Sequence, residues 1–165
     1  MDKDLEELLN FHKIRKVLTR YCRGIDRVDK ALLLSVYHPG AIDDHGIFCA
    51  PAEEFANFAI ETLKADICSA HMLGHSDIAF EGNTAHAETY FNAYHLREIE
   101  GKPNLFSMCG RYIDRFENRT GEWLIADRKV LMDWVDQRIV TSEGLTIDAF
   151  SRGKRSHQDE SYIGR

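Results

Sequence analysis

The sequence lacks the features that mark several large classes of protein. No run of about 18 apolar residues is present that could span a membrane, and the acidic start of the chain, residues 1–7, is unlike a signal peptide. The four cysteines form no C-x-x-C pair and none of the close spacings of a zinc site or a disulfide framework; they are Cys22, Cys49, Cys68 and Cys109. We therefore expect a cytoplasmic protein with reduced thiols, no bound metal and no contact with a membrane.

Positive charge is also scarce. The chain has 21 Lys and Arg against 27 Asp and Glu, a formal net charge of −6, and its one basic cluster, residues 152–155, lies in a polar C-terminal segment. Nucleic-acid binding requires a basic surface, so nucleic acid is not an expected partner. The sequence contains no Gly-rich phosphate loop, nucleophile elbow or dinucleotide fingerprint, and no cofactor is expected.

Helical periodicity dominates the first third of the chain. Apolar residues recur at intervals of three, four and seven up to Gly24, which predicts a first helix ending there. A second helix is predicted from Lys30 to Tyr37, capped by Asp29, and Pro51 opens a third. Between these two helices, the turn-like residues 43–46 predict a hairpin.

From residue 67 onward, apolar residues recur at every second position. Strands are predicted at about 67–80, 84–99, 105–117 and 122–135, separated by short turns, which indicates an antiparallel meander. The 165 residues suffice for one domain. We predict an α+β fold in residues 1–140, with three N-terminal helices packed on a curved, mostly antiparallel sheet, followed by a polar tail in residues 141–165.

Strand alternation predicts which side chains face the enclosed pocket. In the second long strand the inner row comprises Ala85, Ala87, Thr89, Phe91, Ala93 and His95, and in the fourth it comprises Leu124, Ala126, Arg128, Val130, Met132 and Trp134. Phe91, His95, Arg128 and Trp134 are therefore the candidate substrate contacts. The outer row of the second strand is rich in tyrosine, which predicts a subunit interface of a homodimer or homotrimer; its members are His86, Glu88, Tyr90, Asn92 and Tyr94.

Asp26 and His71 are the candidate catalytic residues, because both are polar at positions where the pattern predicts burial. A buried carboxylate and a buried imidazole are costly unless they bind each other, and together they make a general base. Tyr21, on the same helix as Asp26, adds a hydroxyl that requires a partner. Structural roles remain open: His71 as a hydrogen-bonded core residue, Asp26 as a cap, Arg128 bound to a protein carboxylate.

A further group of polar residues, His38, Asp43, Asp44 and His45, lies in turn-like sequence. We interpret them as solvated loop residues rather than as a metal site. His71 and His75 lie four residues apart, too far along a strand to share one metal ion.

Four short motifs together resemble a known family. Tyr21-x4-Asp26, His71-Met72-Leu73-Gly74-His75, the segment 85–90 and the segment 123–128 resemble the SnoaL-like (polyketide cyclase/dehydratase-type) group of the nuclear transport factor 2-like superfamily, over roughly residues 5–140. The resemblance implies a cone-shaped, cystatin-like α+β barrel in which three helices pack inside a curved sheet.

The resemblance also implies a function. In the branch with scytalone dehydratase and bile-acid 7α-dehydratase, an aspartate after the first helix orients a histidine that removes a carbon-bound proton; Asp26 and His71 match these positions. Tyr21 matches a tyrosine of the bile-acid enzyme that can assist the leaving oxygen, and Arg128 matches a pocket arginine of hexachlorocyclohexane dehydrochlorinase, a member of the same branch. A second acid of the bile-acid enzyme falls near Ala93, so a leaving group must take its proton from elsewhere.

Two hypotheses follow. The first is a cofactor-independent lyase or isomerase, dehydratase-like or cyclase-like, acting on a hydrophobic cyclic small molecule. The second is a non-catalytic ligand-binding protein, or a small (beta-type) subunit of a ring-hydroxylating oxygenase-like complex. An open pocket with His71 and Asp26 in contact favours the first, and a pocket filled by aromatic side chains favours the second.

Overall fold

A computed structural model of the chain describes residues 2–141 and 150–164. Helices and strands follow one another in the order α1 (Lys3–Asp26), α2 (Lys30–Leu34), β1 (Tyr37–Asp44), β2 (Cys49–Pro51), α3 (Ala52–Leu63), β3 (Asp66–Glu81), β4 (Thr84–Ile99), β5 (Lys102–Arg119) and β6 (Glu122–Ile139), with a 3-10 turn at Glu160–Tyr162. The predicted α+β class is confirmed.

The strands form one six-stranded sheet in the order β2-β1-β6-β5-β4-β3. The predicted antiparallel meander of β3 to β6 and the short β1–β2 hairpin are both present. The sequence did not predict that β1 pairs in parallel with β6. This long-range pairing adds β1 and β2 to the sheet beside β6. The helices pack against the sheet, and the core lies between them.

Helix α1 continues two residues beyond its predicted end and includes Asp26. Gly24 lies inside the helix, where a Cβ atom would approach the backbone nitrogen of Leu33 to 2.8 Å. Glycine here therefore serves close packing of α2 on α1 rather than helix termination. Two further bounds differ: α2 ends at Leu34 because Tyr37 already begins β1, and Pro51 is the N-cap of α3.

Two bulges in β6 change which of its residues face inward. Ile125 pairs with Phe116 while Asp127 pairs with Arg115, and Met132 pairs with Gly110 while Trp134 pairs with Cys109. Each bulge adds one residue to β6 and reverses the alternation beyond it. The predicted single inner row is therefore wrong. Its members Arg128 and Val130 are buried, but Trp134 lies on the outer face and is 50% exposed.

Residues 150–164 pack against the body of the protein. The Arg155 guanidinium donates hydrogen bonds to the backbone oxygens of Asp26 (3.3 Å), Asp66 (2.9 Å) and Leu63, and the Tyr162 hydroxyl donates to Asp29 (2.8 Å). The sequence predicted only a polar tail here. Residues 142–149 lie outside the described part of the chain, and the domain boundary near residue 140 stays a prediction.

No helix within residues 2–141 or 150–164 is long and apolar enough to cross a membrane. The four cysteines all lie within these ranges and all are free thiols. The cytoplasmic location expected from them stays a prediction.

Candidate active site

A cavity of about 210 Å³ lies between the helices and the inner face of the sheet. Its walls are mostly apolar, and the polar groups in them are two tyrosines, a threonine and three histidines. The lining residues are Tyr21, Ile25, His45, Ile47, Phe55, Phe58, Ala59, Thr62, Leu63, His71, Phe91, Ala93, His95, Met108, Tyr112, Val130 and Met132. An apolar cavity with a few converging polar groups is typical of a small-molecule site.

A larger open depression, about 570 Å³, lies elsewhere on the sheet. Many of its lining residues are charged and outward-facing, such as Glu88, Arg115 and Lys129, and none of the three cavity histidines reaches it. The smaller cavity is therefore the candidate site.

Asp26 and His71 are in direct contact, as the sequence predicted. The last residue of α1 projects its carboxylate onto β3, where Asp26 Oδ1 lies 2.8 Å from His71 Nδ1. The same carboxylate accepts hydrogen bonds from the His71 backbone N–H (3.0 Å) and the Ser69 hydroxyl (3.2 Å). An ionised carboxylate only accepts, so Nδ1 carries the proton and the neutral ring presents a lone pair on Nε2.

The surroundings of this dyad favour a neutral imidazole beside an ionised carboxylate. Burial lowers the pKa of His71 below its ordinary value, and the hydrogen bond and charge of Asp26 only partly offset this. Burial alone would raise the pKa of Asp26, but the hydrogen bonds and charge of His71, with help from Ser69, lower it overall. At neutral pH the pair is therefore poised to accept a proton at Nε2.

His95 lies beside His71 and forms a second pair with a carboxylate. Its Nδ1 lies 2.8 Å from Asp66 Oδ2, and Asp66 also binds the Arg97 guanidinium. Burial acts to raise the pKa of Asp66, but the hydrogen bonds from His95 and Arg97 outweigh it and lower that pKa. The rings of His95 and His71 meet edge to face with centroids 5.3 Å apart. The prediction that His95 faces the pocket is confirmed.

A third pair, Asp43 and His45, was missed by the sequence analysis. Asp43 is fully buried and binds His45 Nδ1 at 2.5 Å and the Tyr37 hydroxyl at 2.5 Å. His45 Nε2 lies 3.5 Å from the Tyr21 hydroxyl. The signal in the sequence was the two-residue spacing, because side chains at i and i+2 of an extended segment share one face. The interpretation as solvated loop residues is wrong for this pair.

Two predicted substrate contacts lie outside the cavity. Arg128 is buried and donates to both carboxylate oxygens of Asp114 at 2.7 Å, with its guanidinium 4.1 Å from the ring centroids of both Tyr21 and Tyr112. It is thus held by a protein carboxylate, the structural role left open by the sequence. Trp134 is excluded by the second bulge of β6. Phe91, by contrast, lines the cavity, stacked on Tyr112.

Among the described residues, no cluster of three or more His, Cys, Asp or Glu is arranged to hold a metal ion. His75 stacks on Tyr90 at a centroid distance of 4.4 Å, away from the cavity.

Comparison with known proteins gives a family and several structural relatives. Residues 6–129 match the model of the SnoaL-like domain. The fold is similar to that of a hexachlorocyclohexane dehydrochlorinase (LinA) Type2, with a TM-score of 0.74 and 16% identity over 87% of this chain and 97% of that one. The fold is also similar to that of a putative scytalone dehydratase from Novosphingobium aromaticivorans, with a TM-score of 0.70 and 16% identity over 85% of this chain and 97% of that one.

An NTF2-like protein with a cystatin-like fold, also from Novosphingobium aromaticivorans, gives a TM-score of 0.64 and 22% identity over 79% of this chain and 86% of that one. At these identities the likeness establishes the fold alone. No curated protein sequence matches the chain. The matched domain covers more than half of the 165 residues, and this chain belongs to the SnoaL-like family.

Proposed function

We propose that the protein is a cofactor-independent lyase or isomerase that removes a carbon-bound proton from a hydrophobic, cyclic small molecule. The observation that carries this proposal is the Asp26–His71 dyad, which leaves the basic Nε2 of a neutral imidazole in an apolar cavity. A base works best when it is neutral, oriented and shielded from water. The dehydrochlorinase and dehydratase named among the structural relatives are consistent with elimination chemistry.

In the proposed reaction His71 Nε2 takes the proton, and Asp26 holds the Nδ1–H tautomer and stabilises the imidazolium that forms. The Tyr21 hydroxyl stabilises negative charge that develops on a substrate oxygen. Burial raises the pKa of this hydroxyl, so it stays protonated and acts as a donor. The cavity of about 210 Å³ suits a substrate of one or two rings.

A non-catalytic ligand carrier is the second candidate, but the lining of the cavity disfavours it. Binding an apolar ligand requires apolar walls and gains nothing from three imidazoles that are each anchored to a carboxylate. Buried polar pairs are costly to maintain and cluster at functional sites.

The proposed base can be tested with 5-nitrobenzisoxazole, which opens when a base removes its C3 proton and its N–O bond breaks to release a stabilised phenolate. We expect the protein to accelerate this reaction in the absence of any added cofactor. Because the pKa of His71 is lowered, kcat/KM should fall with decreasing pH only below about 6.5, the ordinary value for histidine. Absence of catalysis, or an acid limb well above this value, would count against His71 as the base.

We also propose that the outer face of the sheet is a homodimer or homotrimer interface. Asn92 and Cys109 of this face form one cross-strand row with the half-exposed Trp134, which adds apolar area to the predicted tyrosine-rich surface. Light scattering at micromolar concentration should therefore show a dimer or trimer, and Trp134→Glu should shift it toward the monomer. A wild-type monomer under these conditions would refute the proposal.

A further inference from the structure

The Asp43–His45 pair borders the same cavity as His71 but takes no part in the proposed proton removal. His45 directly follows β1, whereas His71 lies in β3, on the other side of the sheet order. Both rings nevertheless line one cavity. A substrate in this cavity therefore meets the His45 imidazole from one side of the sheet and those of His71 and His95 from the other.

The His45 ring is held in one orientation by contacts on several sides. Nδ1 donates to Asp43, the ring stacks on Phe55 with centroids 4.5 Å apart and an interplanar angle of 17°, and the backbone N–H donates to the Phe48 oxygen at 2.8 Å. Its side chain is 26% exposed, and Nε2 lies 3.5 Å from the Tyr21 hydroxyl. Such anchoring is typical of a group that must present one nitrogen to a ligand.

Asp43 is the carboxylate that anchors the His45 ring. Asp43 has no solvent exposure, and its hydrogen bonds come from His45 and the Tyr37 hydroxyl. The nearby cation, Arg128, is already neutralised by Asp114, with which it forms a buried bidentate pair. Tyr21 from α1 and Phe55 from α3 also contact the ring. Asp43 therefore orients His45 through Nδ1, as the carboxylate of a catalytic triad orients its histidine, and leaves Nε2 toward the cavity.

We infer that His45, positioned by Asp43 and Tyr37, is a second catalytic residue that protonates the leaving oxygen when the substrate loses water. The inference rests on the proposed function, in which His71 is the base. His71 removes the proton, the C–H electron pair forms the C=C bond, and the C–O bond breaks. The departing oxygen takes a proton from His45 Nε2 and leaves as water, and the proton now on His71 returns to His45 through solvent. No oxidant or cofactor enters this balance.

The test compares two reactions that differ in their need for an acid. Opening of 5-nitrobenzisoxazole releases a stabilised phenolate and requires only the base. Conversion of 3-hydroxycyclohexanone to cyclohexenone expels hydroxide and requires a proton donor. We expect His45→Gln to slow the dehydration by roughly 10²–10³-fold, within the usual range for a lost general acid, and to slow ring opening, which needs no acid, far less. His71→Ala should abolish both reactions.

Asp43→Asn is the corresponding positioning variant, and His12→Gln, at an exposed position of α1, is the matched control. Asp43→Asn should slow dehydration selectively. His45→Gln should remove the alkaline limb of the pH profile of dehydration, which reports the acid, whereas Asp43→Asn should move this limb to lower pH because it deletes the charge beside His45. The control should alter neither reaction. Because both reactions use the same cavity and the same base, ring opening serves as an internal check that each variant is folded.

The outcomes separate the two proposals. If the wild-type protein accelerates neither reaction, the proposed function fails and the role of His45 fails with it. If His71→Ala abolishes ring opening but His45→Gln leaves dehydration unchanged, only the role of His45 is overturned. If His45→Gln slows both reactions equally, His45 is a structural residue, which also overturns the inference.

Discussion

Replacing His71 with alanine is expected to lower turnover of 5-nitrobenzisoxazole by roughly 10²–10⁴-fold, the usual contribution of a general base. The variant removes the imidazole while Asp26 retains its hydrogen bonds from Ser69 and from the backbone of residue 71. The fold should therefore survive, and the loss should appear in kcat rather than in the thermal midpoint. His75→Ala is the matched control, because this exposed histidine of the same strand stacks on Tyr90 outside the cavity.

Asp26→Asn should be nearly as harmful as His71→Ala. An asparagine NH₂ can donate to Nδ1, which would move the ring proton to Nε2 and remove the basic lone pair from the cavity. It also deletes the hydrogen bond and charge that raise the pKa of His71, so any residual activity should persist to lower pH than in the wild type. The two losses should not add in the double variant, because the residues act as one unit.

Tyr21→Phe should cost less, since the hydroxyl assists the reaction without removing the proton. The decisive contrast is between the two histidines of β3. Near-wild-type turnover in His71→Ala together with a large loss in His75→Ala would show that the base has been assigned to the wrong residue.

The second large effect concerns stability. Asp114→Ala is expected to reduce the free energy of unfolding by about 3–5 kcal/mol, the usual cost of leaving one member of a buried ion pair without its partner. The side chains of Arg128 and Asp114 are both fully buried, paired directly across β5 and β6, and joined by two hydrogen bonds of 2.7 Å. Urea denaturation monitored by circular dichroism would measure the loss.

The same two strands supply a matched control for this prediction. Arg111 and Asp133 form an exposed ion pair at 3.2 Å between β5 and β6, and Asp133→Ala should cost less than about 1 kcal/mol because water screens both charges. The double variant Asp114→Leu/Arg128→Met should recover much of the loss, since it leaves no buried charge unpaired. A cost below about 1 kcal/mol for Asp114→Ala would mean that Arg128 finds another partner or reaches water.

Local patterning was sufficient to predict the elements that depend on periodicity. The strand at 84–99 was predicted with its observed bounds. Along its sequence, small and apolar residues of the inner face alternate with polar residues of the outer face. The same alternation placed Phe91 and His95 toward the cavity. Burial of Asp26 and His71 was predicted because both interrupt apolar patterns, and a buried carboxylate and imidazole satisfy each other's hydrogen-bonding needs.

Only the tertiary structure decided the features that depend on partners distant in the chain. Bulges in β6 reversed its alternation and placed Trp134 outside, although nothing in its composition marks the extra residues. Asp114 was not singled out by the sequence, yet it neutralises Arg128. The parallel pairing of β1 with β6 joins the segment before His45 to the sheet, and His45 lines the same cavity as His71. Periodicity reports which face of an element is buried, whereas the partner of a buried charge is fixed by contacts between segments far apart in sequence.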